Sequence, residues 1–122
     1  MAMASRRSLI GLVLALLAAT GGMQWWRERH DDQTGIELAA RAQPGDIQLL
    51  SSTTCVFCDR ARRWMQVHQV RFSECFVERD AECAKRYQAT GGRGTPTVLV
   101  RGQVQLGFSP QQVLAALPAK AV

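Results

Sequence analysis

The hydrophobic pattern of the chain changes several times from Asp46 onward, and this alternation constrains the fold more than any other feature. Short segments with the alternating pattern of β-strands take turns with longer segments in which apolar residues recur at helical spacing. Arg101 and Gly102 form a two-residue connection that is typical of a hairpin. The strand-like segments are 47–50, 70–77, 97–100 and 103–106, and the helix-like segments are 56–69, 80–89 and one that begins near Ser109. The predicted order is therefore βαβαββα, an α/β domain.

The N-terminal segment has a composition of its own. Two arginines near the start precede an uncharged stretch that ends at a pair of tryptophans. From Leu9 to Trp26 this stretch reaches the lower limit of about 17–25 residues for a spanning helix, and tryptophan is common at the membrane surface. We therefore expect residues 1–29 to be an export signal or a transmembrane anchor, with residues 9–26 in the membrane.

Positive charge at the short N-terminal end favours a cytoplasmic N-terminus. The rest of the chain is then expected to face the periplasm as a single-pass protein of a bacterial inner membrane. If the signal is cleaved, the domain is expected to be free in the periplasm.

Charged and turn-forming residues divide the remainder of the chain. Residues 30–45 begin with charges and end at a Pro-Gly pair, which predicts a linker, followed by a domain over 46–118 and a tail over 119–122. Within the linker, Ile36, Leu38, Ala39 and Ala40 have the spacing of one short amphipathic helix. The formal net charge is +5, from 15 basic and 10 acidic side chains, without aromatic residues interleaved among the basic ones. This pattern favours a solvated basic surface over nucleic-acid binding. We expect a monomer.

The four cysteines lie between Cys55 and Cys83, and the first two form a Cys-x-x-Cys sequence where the first strand meets the first helix. A helix N-terminus carries unpaired N–H groups and partial positive charge, which favour the thiolate of a cysteine placed there. Cys58 follows about one turn later, close enough to bond to Cys55. We therefore expect Cys55 to be the nucleophile and Cys58 the resolving cysteine, with no cofactor.

Two kinds of metal site also use a Cys-x-x-Cys sequence. A structural zinc site usually needs a second close pair of ligands, but Cys75 and Cys83 are separated by seven residues and His68 lies on a predicted helix. A copper-carrier domain has the order βαββαβ, whereas here a hairpin precedes the last helix. We therefore expect no resident metal site, and metal delivery through Cys55 and Cys58 ranks below the redox interpretation.

Residues 46–117 resemble glutaredoxins and the wider group of thioredoxin-fold proteins. The resemblance rests on the strand–Cys55-Val56-Phe57-Cys58–helix unit, on Gly91-Gly92-Arg93-Gly94-Thr95-Pro96 before the hairpin, and on Gly107-Phe108-Ser109-Pro110 after it. It implies a thioredoxin-like, glutaredoxin-type three-layer fold with a four-stranded mixed sheet, preceded here by the hydrophobic N-terminal helix.

The same resemblance assigns substrate-binding roles. It implies a cis proline at Pro96 that faces the dithiol, and a main chain at Thr95 and Pro96 that pairs with an extended substrate. Phe57 stands where glutaredoxins often carry a tyrosine between the cysteines. Arg93 stands where family members often place a side chain that binds a carboxylate.

Two positions depart from the glutaredoxin pattern. Glutaredoxins usually have a lysine three residues before the first cysteine, which holds a carboxylate of glutathione, whereas this chain has Ser52. Gly107–Pro110 replaces a Gly-Gly sequence that is often followed by acidic residues, and it is similar to glutaredoxin-like redoxins that take electrons from thioredoxin reductase. Protein or small thiol and disulfide substrates are therefore expected, and the departures weigh against glutathione.

Cys75 and Cys83 are eight positions apart across a predicted strand–helix turn. In an oxidising compartment they are expected to form a structural disulfide. The loop-entropy model gives about 2–3 kcal/mol for a loop this short. The alternative is two unbonded thiols, with Cys75 in the core and Cys83 partly exposed.

The sequence thus predicts an enzyme, a thiol–disulfide oxidoreductase that acts outside the cytoplasm through Cys55 and Cys58. The alternative from a different class is a membrane-tethered binding or assembly module of the same fold. Its groove at Thr95 and Pro96 would dock a cysteine-containing partner without turnover.

Overall fold

The computed structural model describes residues 2–119, with side chains from Ser5 onward, so residues 120–122 of the predicted tail lie outside the described residues. The helices are α1 (Ala2–Arg41), α2 (Val56–Val67), α3 (Ala81–Ala89) and α4 (Pro110–Ala116). The strands are β1 (Ile47–Ser51), β2 (Ser73–Phe76), β3 (Thr97–Val100) and β4 (Gln103–Leu106). The predicted βαβαββα order after an N-terminal helix is confirmed.

The four strands form one mixed sheet in the order β2-β1-β3-β4. Strand β1 runs parallel to β2 and antiparallel to β3, and the β3–β4 hairpin is antiparallel. In this register Leu50 lies beside both Cys75 and Thr97. The ends of β1 and β2 and the start of β3 therefore meet at one edge of the sheet, which we call the dithiol edge.

Local signals set the turns and most of the helix ends. Arg101 and Gly102 both have positive φ, at 50° and 85°, as the tight hairpin requires. Ser109 caps α4 by accepting the N–H of Gln112, and Pro110 occupies the first turn. The predicted strand at 70–77 begins only at Ser73, because the N–H of Val70 still donates to the Met65 carbonyl at the end of α2, at 2.9 Å.

The hydrophobic core lies on the side of the sheet that faces α2 and α4. Strand alternation directs Leu49 and Val98 to this side, where Met65 of α2 and Val113 of α4 are also fully buried. The rest of the cluster is Leu38, Ala42, Ile47, Ala61, Val70, Val100 and Leu117. This core holds α2 against the sheet and so fixes the helix that carries the cysteines at its start.

The opposite side of the sheet carries α3. Alternation directs Leu50, Cys75 and Thr97 to this side, and a disulfide joins Cys75 of β2 to the fully buried Cys83 of α3, with 6.0 Å between their Cα atoms. Asp80 caps α3 by accepting the N–H of Glu82 at 2.9 Å. The resulting arrangement is a sheet between two layers of helices.

The chain divides into two compact units, Met1–Asp32 and Gln33–Val122. In the first unit the described apolar side chains are exposed, for example Leu17 at 63% and Trp26 at 62%. By length and composition, the helix from Ser5 to Arg41 is sufficient to cross a membrane, a property that N-terminal signal sequences share. The hydrophobic N-terminal helix of the prediction is therefore present.

The last turns of α1 belong to the second unit. Leu38 and the following Ala42 are fully buried in its core. Gly35 lies so close to the His68 ring that a Cβ at this position would overlap it. The structure therefore differs from the expected linker over 30–45. The short amphipathic helix expected inside this segment is the end of α1, and its buried positions recur every four residues, at 34, 38 and 42.

Candidate functional site

Cys55 and Cys58 occupy the start of α2 at the dithiol edge and form a disulfide, with 5.2 Å between their Cα atoms. Cys55 is the N-cap residue, in an extended conformation, and its Sγ accepts the N–H of Cys58 at 3.1 Å. Cys55 is partly exposed, whereas Cys58 is fully buried. An incoming sulfur can therefore reach Cys55 but not Cys58, and helix N–H groups are available to stabilise a thiolate at Cys55.

The two residues between the cysteines form an apolar surface. Val56 and Phe57 are 62% and 67% exposed, which is high for side chains of this type. The guanidinium carbon of Arg60 lies 5.6 Å from the centre of the Phe57 ring. Phe57 thus presents its ring to solvent directly before Cys58 in the chain.

Thr95 and Pro96 are joined by a cis peptide bond immediately before β3. The Pro96 side chain is buried, and its carbonyl accepts the N–H of Gly107 at 2.8 Å. The Thr97 hydroxyl donates to the Gly94 carbonyl at 2.7 Å. Because β3 starts at the dithiol edge, the structure brings this segment to the same end of the domain as Cys55.

Arg93 is exposed in the loop between α3 and β3. It borders a cleft that is lined by Thr90, Thr97, Val104 and Leu106. Since Thr97 and its strand partner Leu106 point to the α3 side, this cleft opens on that side of the sheet. The Arg93 guanidinium therefore lies at the border of this cleft, on the α3 side of the sheet.

Glu78 links the two loops that meet at the dithiol edge. Its carboxylate accepts a hydrogen bond from the Ser52 hydroxyl and another from the Thr53 N–H, the latter at 3.1 Å. The hydrogen bond from Ser52 holds the pKa of the Glu78 carboxyl below its ordinary value of 4.5. Glu78 is therefore ionised at neutral pH, two residues in sequence beyond the end of β2.

A polar network connects α2 to the sheet. Arg62 donates from two nitrogens to the two carboxylate oxygens of Glu74, at 2.6 and 2.9 Å, and also pairs with Asp59 at 2.9 Å. The Ser51 hydroxyl donates to Glu74 at 2.6 Å. The hydrogen bond with Glu74 is the main cause that raises the pKa of Arg62. Arg62 follows Cys58 by four residues, so this network fixes the helix face that carries the buried cysteine.

The sequence interpretation did not identify Glu74 or Glu78 as parts of the site, it took Arg62 as a solvated charge on the helix face, and it noted Ser52 only as a departure from the glutaredoxin pattern. The strand order indicates only that the residues after β1 and β2, such as Ser52 and Glu78, come close together, because the carboxyl ends of these parallel strands lie at one edge. It does not indicate which side chains bond there. Cys75 and Cys83 form the second disulfide described above. Within residues 2–119, no three His, Cys, Asp or Glu side chains are grouped so that they could hold a metal.

Comparisons with known proteins agree with this geometry. Residues 47–105 match the family model described as Glutaredoxin. The glutaredoxin-like protein NrdH-redoxin from Escherichia coli, whose structure is described as explaining a thioredoxin-like activity profile, is 29% identical with a TM-score of 0.51, and the match covers 60% of this chain and 96% of that one.

Two further solved structures share the fold. Methanosarcina acetivorans methanoredoxin is 21% identical with a TM-score of 0.52, over 65% of this chain and 90% of that one. The thioredoxin-like protein BC3987 is 25% identical with a TM-score of 0.51, over 58% of this chain and 99% of that one. No curated protein matches the sequence significantly. The strand order, the Cys-x-x-Cys start of α2 and the family match together show that residues 47–105 form a glutaredoxin-like domain with a thioredoxin-like fold.

Proposed function

We propose that the protein is a thiol–disulfide oxidoreductase that acts outside the cytoplasm through Cys55 and Cys58. The observation that carries the proposal is the contrast between the two sulfurs, since Cys55 is partly exposed at the helix N-cap and Cys58 is fully buried behind it. Exposure and a helix N-terminus are what a nucleophilic cysteine requires.

In the reducing direction, the Cys55 thiolate attacks one sulfur of a substrate disulfide. A mixed disulfide forms, and the other substrate sulfur leaves as a thiolate. The Cys58 thiolate then attacks the Cys55 sulfur, which forms the Cys55–Cys58 disulfide and releases the second substrate thiol. Two electrons pass from the dithiol to the substrate, and the reverse sequence oxidises a substrate dithiol.

The substrate surface in this proposal combines three elements at the dithiol edge. The main chain at Thr95 and Pro96 pairs with an extended segment of the substrate. The exposed Phe57 contacts side chains of that segment, and Arg93 binds a carboxylate of the substrate. Extended polypeptides that contain cysteine fit this surface. The similarity to NrdH-redoxin, with its thioredoxin-like activity profile, supports protein thiols over glutathione as partners.

The proposed location is the periplasmic side of a bacterial inner membrane, with residues 1–29 as signal or anchor and the domain acting as a monomer. Support comes from the exposed apolar helix of the first unit and from the basic residues before it. The Cys75–Cys83 disulfide agrees with an oxidising compartment.

Trapping of substrates tests the proposal directly. In cells, Cys58→Ser removes the resolving sulfur, so mixed disulfides between Cys55 and its substrates should accumulate and be released by dithiothreitol. A membrane-impermeant maleimide applied to the outer surface should label the same Cys55 thiol if the domain is outside the cytoplasm.

The control is Cys55→Ser, which should form no adducts and should lose at least about 1,000-fold in disulfide reduction, as expected when a nucleophile is removed. A Cys58→Ser variant that traps no partner would instead favour the binding module without turnover. Labelling only after the cells are lysed would contradict the location.

A further inference from the structure

The carboxylate of Glu78 bridges the loop after β2 and the segment that leads into α2. One oxygen accepts the Ser52 hydroxyl, and the other accepts the Thr53 N–H at 3.1 Å. Ser52 and Thr53 are the third and second residues before Cys55. One side chain thus holds the backbone on which the position of Cys55 depends.

Glu78 is itself held by a closed turn. The N–H groups of Arg79 and Asp80 both donate to the Phe76 carbonyl at 3.1 Å, and the N–H of Val77 donates to the Ser51 carbonyl at 3.0 Å. The Cys75–Cys83 disulfide closes the same turn covalently, with one cysteine on each side of Glu78. The carboxylate is exposed to solvent, yet its origin on the backbone is fixed.

We propose that Glu78 is a positioning residue for the dithiol. It holds residues 52–54 so that Cys55 stays at the N-cap of α2, where the sulfur faces the N–H of Cys58. The inference rests on the proposed redox function of Cys55, because it assigns Glu78 a part in keeping that sulfur ionised.

Two effects of Glu78 on Cys55 have opposite signs, and this makes the proposal testable. A negative charge near a sulfur disfavours the thiolate and raises the pKa of the thiol. Retention of the sulfur at a helix N-terminus lowers that pKa. Loss of the side chain therefore raises the pKa of Cys55 if positioning dominates, and lowers it if Glu78 acts through its charge alone.

The experiment uses the full chain with Cys58→Ser, in which Cys55 is the free thiol once Cys75 and Cys83 are bonded. The rate of alkylation by iodoacetamide is measured against pH, together with the melting temperature. Glu78→Ala is expected to raise the pKa of Cys55 by about half to one unit, which slows alkylation by about three- to tenfold at pH values below the pKa of the parent thiol and by less above it.

Two further variants separate charge from position. Glu78→Gln keeps an oxygen acceptor without the charge and is expected to react at least as fast as the parent. Ser52→Ala removes one of the two hydrogen bonds at constant charge and is expected to slow alkylation by about twofold. The matched control is Glu82→Gln on α3, whose carboxylate pairs with Lys85 at 3.6 Å and does not contact the loop before Cys55. It should leave the rate unchanged.

Three results would overturn the inference. In the first, Glu78→Ala reacts as fast as the parent or faster, which shows that positioning does not dominate the effect of Glu78 on Cys55. In the second, Glu78→Ala lowers the melting temperature while the pH profile of Cys55 stays the same, which shows a structural role alone. In the third, the parent Cys55 reacts no faster than in the urea-unfolded chain, and the proposed function then fails together with the inference.

Discussion

The two sides of the sheet are stabilised by different means. The side under α2 and α4 is closed by a hydrophobic core to which the end of α1 contributes Leu38. The side under α3 has a helix of nine residues, and the β4 side chains Val104 and Leu106 remain 53% and 60% exposed there. A disulfide between Cys75 and Cys83 ties α3 to the sheet. The side of the sheet that buries less apolar surface is thus the one that a covalent bond stabilises.

The difference bears on function because both means of stabilisation meet at the dithiol edge. The core and the Arg62–Glu74 pair fix α2, which carries Cys55 and Cys58. The turn closed by the second disulfide presents Glu78 to the segment before Cys55. Of the two disulfides, one lies at a partly exposed helix start and suits exchange. The other joins strand β2 to helix α3 across one side of the sheet and suits support, and each disulfide pairs one fully buried cysteine with one half-buried cysteine.

The largest expected effect is a difference in the free energy of unfolding between two leucine substitutions, one on each side of the sheet. Leu38→Ala removes a fully buried side chain from the core side and should lower the free energy of unfolding by about 2–5 kcal/mol. Leu106→Ala, on the open α3 side at 60% exposure, should lower it by less than about 1 kcal/mol. Denaturant unfolding followed by near-ultraviolet circular dichroism measures both.

Equal losses for the two leucines would show that the sides do not differ as described. A small loss for Leu38→Ala would show that the end of α1 is not part of the core, and would return residues 30–45 to the role of linker.

The next largest effect is expected from the disulfide of the α3 side. Replacement of Cys75 and Cys83 together by alanine should lower the free energy of unfolding by about 2–3 kcal/mol, since the unfolded chain regains the freedom of the closed loop. Below the melting temperature, alkylation of Cys55 should slow less than in Glu78→Ala, because the Glu78 carboxylate still reaches Ser52 and Thr53.

If this double variant were as stable as the parent, the comparison would fail, because the side chains buried under α3 would then stabilise that side of the sheet without the disulfide. Cys55→Ser provides the converse control, in which the activity is lost although the Cys75–Cys83 disulfide is intact.

The parts of the molecule that the sequence predicted correctly have local causes. The order of the elements follows from hydrophobic period, the hairpin from Arg101 and Gly102, and the cap of α4 from Ser109 and Pro110. Each of these signals lies within a few residues of the structure that it determines.

The features that were not predicted depend on contacts between distant segments. Glu78 reaches Ser52 across 26 positions, and Arg62 reaches Glu74 across 12. Within the second unit, the end of α1 likewise approaches His68 at Gly35, 33 positions away in sequence. A carboxylate in an exposed turn has no local pattern that distinguishes it from a solvated one, so these contacts required the structure.

The smallest expected effect is the pH dependence that Glu78 confers on stability. The hydrogen bond from Ser52 lowers the pKa of Glu78 in the folded chain below 4.5, so the folded state binds the proton less readily than the unfolded state does. The stabilisation is therefore complete above about pH 5 and is lost as the pH falls through the folded pKa. Glu78→Gln has no carboxyl to protonate and lacks the charged hydrogen bond at every pH, so the melting temperatures of parent and variant should differ most near neutral pH and converge as the pH falls below 4.5. Glu82→Gln measures what the loss of a surface carboxylate does without contact to Ser52. If the parent and Glu78→Gln curves run parallel from pH 7 to pH 3, the bond to Ser52 does not stabilise the folded chain, and the link between the two sides of the sheet at this edge is weaker than its geometry indicates.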